Sequence, residues 1–158
     1  ESVPLDMVAV SCSPPLRFAV VGSSAYFAQH PAPQTPEDLR RHNCIRTRFA
    51  SGALYRWEFV KRGQQQVIDV DGTLTLDSQH LIVDAALKGI GIICVNESSI
   101  AEHLDAGRLI RTLEDWTPAY PGLCVFYPAN RHVPAGLRAF INLVREMNVT
   151  FTKDPTLV

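Results

Sequence analysis

Asp77-Ser78-Gln79-His80-Leu81-Ile82-Val83-Asp84-Ala85-Ala86-Leu87-Lys88-Gly89-Ile90-Gly91-Ile92-Ile93-Cys94-Val95 joins a helix to a strand in one unbroken run. Asp77 and Ser78 can cap a first turn, Ile82, Ala85 and Ala86 share one face, and Lys88-Gly89 marks the stop. From Ile90 to Val95 the residues are apolar, mostly β-branched and without alternation. That is the pattern of a strand covered on both faces, and it predicts a parallel neighbour. Gly89-x-Gly91 lacks a third glycine and precedes a strand, so it reads as a helix stop and a tight entry and not as a dinucleotide cradle.

Upstream of this run, Met7 to Cys12 and Phe18 to Gly22 are apolar strands separated by Pro14-Pro15. Thr35-Pro36-Glu37-Asp38 has a cap hydroxyl, a proline at the first helical position and acids in the first turn, which predicts a short helix through Leu39. Residues 44–49 read as a strand. Tyr55 to Phe59 and Val67 to Val70 flank Lys61-Arg62-Gly63 as a hairpin, and Thr73 to Leu76 is extended. Downstream, Asn96 caps a helix through Ile100, Ala101 and Leu104 that Gly107 stops. Leu123 to Tyr127 is a last strand, and Pro134 opens a helix with Leu137, Phe140, Ile141 and Val144 on one face. Strands alternating with helices in this way predict an α/β fold, with a largely parallel sheet and helices on both faces.

The chain has 158 residues, 46% of them hydrophobic, enough to bury a core. With 15 Lys and Arg against 16 Asp and Glu it lacks the basic surface that grips nucleic acid, so any DNA contact must come from outside this segment. No apolar run approaches the ~20 residues that cross a bilayer. Glu1 to Val10 has neither the basic nor the long apolar region of a signal peptide. Cys12, Cys44, Cys94 and Cys124 are widely spaced, and their positions in mostly apolar runs predict buried, reduced thiols and a cytoplasmic setting.

In open α/β sheets, ligands bind beyond the carboxyl ends of strands, where helix N-termini offer free N–H groups. That rule selects Ser23-Ser24, Arg46-Thr47-Arg48, Asp77-Ser78-Gln79 and Asn96-Glu97. Ser23, Thr47 and Ser78 can donate to a small anion, with Arg46 or Arg48 forming a fork on its carboxylate. Any one of these residues is more often a helix cap or a solvated charge, so it is their convergence that carries the expectation. His30, His42, His80, His103 and His132 show no ligand spacing, so neither a metal nor a cofactor is expected. Asp77 with His80 lacks the G-x-S-x-G elbow of a nucleophile site, and no catalytic constellation is expected. Trp57, Trp116, Tyr55 and Phe59 are more often core and hairpin residues than ligand platforms.

Six segments, in order, resemble the C-terminal portion of the effector-binding (substrate-binding) domain of LysR-type transcriptional regulators, from about Met7 to Met147. They are Phe18 to Phe27; Thr35-Pro36-Glu37-Asp38-Leu39 with His42-Asn43-Cys44-Ile45; Trp57-Glu58-Phe59; Ala85 to Ile92; Gly107-Arg108-Leu109-Ile110 with Leu113-Glu114-Asp115-Trp116; and Tyr127-Pro128 with Arg138-Ala139-Phe140-Ile141. Ser24 departs from the family's usual proline, and so does Asn96. The resemblance implies a type-2 periplasmic-binding-protein-like fold with lobe I incomplete. Residues 1–22 would be the end of lobe I with a hinge strand, 23–116 lobe II, 117–147 the return strand and closing helix of lobe I, and 148–158 a polar tail.

The resemblance further implies a small-molecule effector in an inter-lobe cleft, an anion in view of the arginines. It also implies self-association through this domain and DNA contact only through an N-terminal winged helix-turn-helix absent from these residues. A stand-alone periplasmic-type solute receptor is the alternative that shares the architecture. An upstream signal peptide would favour the receptor, and a helix-turn-helix the regulator.

Overall fold

Phe18–Ser23 carries only apolar or small side chains, and Ala19 through Ser23 are all buried, so this strand lies in the middle of its sheet. The computed structural model describes residues 6–129 and 133–153, with side chains up to Met147. Its elements are β1 (Met7–Ser11), β2 (Phe18–Ser23), α1 (Ser24–Gln29), β3 (Arg46–Thr47), β4 (Trp57–Lys61), β5 (Gln64–Ile68), β6 (Thr75–Leu76), α2 (Gln79–Leu87), β7 (Ile93–Asn96), α3 (Ala101–Asp105), β8 (Leu109–Thr112), β9 (Cys124–Pro128) and α4 (Ala135–Lys153). Tight 3-10 turns lie at Pro36–Arg41, Glu97–Ile100 and Glu114–Trp116. The chain divides into a unit of Glu1–Leu16 with Tyr120–Val158 and a larger unit, Arg17–Ala119.

In the larger unit β2 runs antiparallel between β7 and β8, with Val20 opposite Cys94 on one side and Thr112 on the other. β3 and β6 pair in parallel. A parallel bridge from Cys44 to Ile92 ties this pair to β7, through Ile45 N–H to Ile92 O at 2.8 Å and Ile92 N–H to Asn43 O at 3.0 Å. The run is therefore β6-β3-β7-β2-β8. The α/β class holds, but the largely parallel sheet does not: among the described strands only β3 and β6 pair in parallel. Burial on both faces leaves the same unalternating sequence whichever way the neighbour runs, and β7 is such a strand beside an antiparallel β2.

The alternation of side chains across the strands feeds two cores. Ala19, Val21, Ile93 and Val95 meet Ile82, Ala85 and Ala86 of α2. Val20, Ile92 and Cys94 meet Tyr26, Leu39, Trp57, Phe59 and Ile68. Helices do not cover both faces alike: the second is closed by the β4–β5 hairpin together with Tyr26 of α1 and Leu39 of the 3-10 turn. Arg62 and Gly63, with φ of 51° and 78°, make the hairpin's two-residue turn. The strand that the family plan treats as a hinge, β2, is thus the centre of this unit's sheet.

Cys44 lies against backbone on both sides. Its N–H donates to Asp71 O at 2.9 Å, and a Cβ on Gly72 would stand 1.8 Å from Cys44 O; on Gly91 it would stand 2.1 Å from Asn43 O. Only glycine fits at these two places.

In the smaller unit β1 and β9 pair antiparallel, Val10 is buried, and α4 packs on β1. Ile141 is buried and Leu137 and Val144 are half-buried, but Phe140, expected on the packed face, is 49% exposed. The backbone of α4 continues through Lys153, past the point where a polar tail is read from the sequence, because a formed helix extends over indifferent residues at little cost. Residues 154–158 of that tail, His132 and residues 1–5 lie outside the described residues.

Gly72→Ala is expected to lower unfolding stability by about 2 to 4 kcal/mol in urea titrations, because backbone must shift to admit the methyl. Gly136→Ala, in α4 with nothing within 4 Å of the new carbon, should instead raise it by about 0.5 to 1 kcal/mol.

Candidate functional site

Beyond Thr47 the chain folds back on itself. Tyr55 N–H donates to Thr47 O at 2.9 Å, Arg48 bridges Leu54, and Phe49 N–H reaches Ala53 O at 2.9 Å. Gly52, at φ 86°, turns the tip, and its N–H donates to Phe49 O at 2.8 Å. Arg48 Nη1 donates to Gly52 O at 2.9 Å, so the guanidinium braces the hairpin that carries it.

This hairpin walls a recess of about 570 Å³. Thr47, Arg48, Phe49, Ala50 and Tyr55 come from the hairpin, Asp77 and Gln79 from the start of α2, and Asn96 from the end of β7. Phe18, Ile82, Cys94 and Val95 supply the apolar part. Tyr55 sits 5.6 Å from Phe18 and 5.8 Å from Phe49 between ring centroids, tilted 31° and 77° respectively. Burial pushes the thiols of Cys94 and Cys44 up to about 12, so both behave as small hydrophobic groups and not as nucleophiles.

Of the residues selected from sequence, Thr47, Arg48, Asp77, Gln79 and Asn96 converge on the recess. Ser23 and Ser24 do not. β2 enters the recess with Phe18, so Ser23 emerges at its opposite end, roughly 16 Å along the strand. There its Oγ accepts from Tyr26 N–H at 3.2 Å to cap α1. The carboxyl-end rule fails for this strand because β2 is antiparallel to β7. Arg46 alternates with Thr47 and leaves by the other face, half-buried. Glu97 is held by Arg111 Nη2. Ser78 holds the N-cap position of α2 without a capping bond from its hydroxyl, and it stands off the lining. Asn96 does cap, its Oδ1 accepting from Ser98 N–H at 3.0 Å and Ser98 Oγ at 2.8 Å.

The sequence reading missed Phe49, Ala50 and the pairing of the hairpin. Ser51-Gly52, a turn dipeptide between Phe49 and Leu54, was the available signal. Trp57 and Phe59 are core residues, while Lys61 Nζ stands 5.1 Å over the Trp116 ring. Cys44 and Cys94 are buried as expected. Cys12 is half-buried and Cys124 exposed, because β9 alternates and turns Cys124 outward. His80 faces Asp84 at 3.7 Å and not Asp77. Among the described residues, no three His, Cys, Asp or Glu are placed to hold a metal ion, and no helix is long and apolar enough to cross a membrane.

The larger unit is thus a mixed sheet whose edge carries a polar-rimmed, aromatic-walled recess. The chain belongs to the LysR substrate binding domain family, whose profile matches residues 12–148. It is 42% identical to a candidate transcriptional regulator of Pseudomonas aeruginosa over 99% of this chain and 51% of the relative. It is 37% identical to the uncharacterized HTH-type transcriptional regulator YcaN of Escherichia coli over 89% of this chain and 45% of that protein. The chain therefore spans about half the length of these relatives. Among solved structures, the regulatory domain of AphB from Vibrio vulnificus superposes with a TM-score of 0.76 at 24% identity, covering 94% of this chain and 72% of that one, which is a likeness of fold. The CrgA regulatory domain of Neisseria meningitidis gives 0.67 at 25% identity, over 91% of this chain and 70% of that one.

Away from the recess, Tyr26 Oη lies 3.2 Å from His42 Nδ1 and accepts from Asn43 N–H at 3.1 Å, while His30 stacks on the Tyr26 ring at 4.4 Å. Burial, and next the nearby His30, hold His42 below the ordinary imidazole value of 6.5, against a smaller opposing pull from Asp38. The unfolded chain then binds more protons than the folded one in the window just below that value. Stability should fall as pH drops through it and level off below the folded pKa. His42→Gln should flatten this loss in urea titrations performed across the window.

Proposed function

We propose that the Arg17–Ala119 unit is the effector-sensing part of a LysR-type transcriptional regulator and that the recess under the 47–55 hairpin takes a small anionic molecule. The observation that carries this reading is the convergence of Thr47, Arg48, Asp77, Gln79 and Asn96 on one recess of about 570 Å³, within the 300 to 1,000 Å³ common for such ligands. Arg48 is the cation at its rim and presents the guanidinium fork suited to a carboxylate. The family plan assigns residues 23–116 to lobe II, 1–22 and 117–147 to lobe I, and 148–158 to a tail. Within the whole protein, DNA would be read by an N-terminal winged helix-turn-helix in the cytoplasm. Effector binding would shift the arrangement of paired subunits by its differential affinity for two states.

The test is calorimetric titration of the full-length protein with a panel of anionic metabolites, joined to footprinting of its DNA. An effector should bind and alter the footprint. Arg48→Ala and Gln79→Ala should each weaken binding by about tenfold; the exposed Gln79 should leave the unliganded melting temperature unchanged, whereas Arg48→Ala, which also removes the brace to Gly52 O, should lower it slightly. An effector whose affinity ignores both substitutions would place its seat elsewhere.

A further inference from the structure

The lining of the recess narrows the chemistry of its occupant. Resting on the effector reading above, we infer that the ligand is an aromatic monocarboxylate whose ring also bears a hydrogen-bond donor, such as a hydroxyl or an amino group.

Three aromatic side chains form a continuous wall. Tyr55 stands between Phe18 and Phe49, at a shallow tilt to the first and near edge-on to the second, so the recess has an aromatic corner. A flat ring can meet one of these residues face to face and another at its edge, the two arrangements aromatic pairs favour. Phe49 is 49% exposed at the tip of a hairpin whose own hydrogen bonds hold it in place. Neither core cluster includes it, and its ring both packs edge-on to Tyr55 and lines the recess.

The charges set the rest. Thr47 pairs with Leu76 in parallel register and Arg48 N–H donates to Leu76 O at 2.8 Å, so Arg48 and Asp77 are the next step on adjacent strands. Both line the recess, and among the described residues they form no ion pair with each other. A ligand with a carboxylate toward Arg48 and a donor toward Asp77 answers both. A second carboxylate would meet Asp77 without a second lining cation. A sugar would need many open polar partners, whereas Asn96 Oδ1 already serves Ser98 and Arg48 Nη1 already serves Gly52.

The experiment is calorimetric titration of the full-length protein with 3-hydroxybenzoate, its saturated analogue 3-hydroxycyclohexanecarboxylate, and 3-hydroxybenzyl alcohol. The aromatic acid should bind about tenfold more tightly than either comparator. Phe49→Leu, which keeps apolar area but removes one ring of the three, should reduce the preference over the saturated acid, with Phe18 and Tyr55 keeping the rest. Arg48→Gln should erase the preference over the alcohol. Equal binding of the two acids, an aromatic preference that Phe49→Leu leaves undiminished, or no binding of 3-hydroxybenzoate overturns the inference. If an aliphatic or sugar anion binds instead and its affinity falls with Arg48→Gln, the aromatic assignment fails while the effector site stands. If every ligand found is indifferent to Arg48, both fail.

Discussion

The close approach of the Asn43–Ile45 backbone to its two neighbours is the constraint on which the larger unit depends. On one side it meets Asp71 to Leu74, and on the other Ile92, with hydrogen bonds from Cys44 N–H, Ile45 N–H and Ile92 N–H. These bonds join a parallel pair, β3 and β6, to an antiparallel trio, β7, β2 and β8. Remove the junction and the sheet separates into a two-stranded and a three-stranded piece. Gly72 and Gly91 exist at the junction because side chains there would occupy the carbonyls of Cys44 and Asn43. Asn43 reinforces it with its amide: Nδ2 donates to Ile90 O at 2.7 Å and Oδ1 accepts from Thr73 N–H at 2.8 Å.

The recess is a product of the same junction. β3 and β6 end together at Thr47 and Leu76, and β7 ends at Asn96 beside the start of β2 at Phe18. Four chain segments therefore reach one edge of the sheet and diverge, and the space between them is the pocket. Its apolar part continues the core, since Ile82, Cys94 and Val95 belong to packed clusters, while its rim is built from turn and helix-start residues. A deep apolar contact and a shallow polar one follow from where each residue lies along its strand.

Much of the fold was legible because it rests on local signals. The helix from Gln79 to Leu87 with its glycine stop, the buried runs of β2 and β7, and the Arg62-Gly63 turn each announce themselves within a few residues. Strand direction was not legible, because a strand buried on both faces reads alike in either sense. That loss passed directly to the candidate site: Ser23 and Ser24 were expected to join it and lie at the end of β2 away from the recess. Thr47, Arg48, Asp77, Gln79 and Asn96 converge because β3, β6 and β7 do end at one edge. Phe49 was hidden because its importance comes from a backbone reversal, and the hairpin's tip has no alternating pattern to reveal it.

The 47–55 hairpin is held chiefly by bonds within itself: Thr47 to Tyr55, Phe49 to Ala53 and to Gly52, and the Arg48 brace. Residues 48–54 are exposed throughout, and neither core cluster includes any of them. One wall of the recess is thereby carried on a surface cassette, while its floor belongs to the core of the sheet. Descendants of this chain can exchange the cassette's side chains, and so reshape the rim of the recess, without renegotiating the core beneath it.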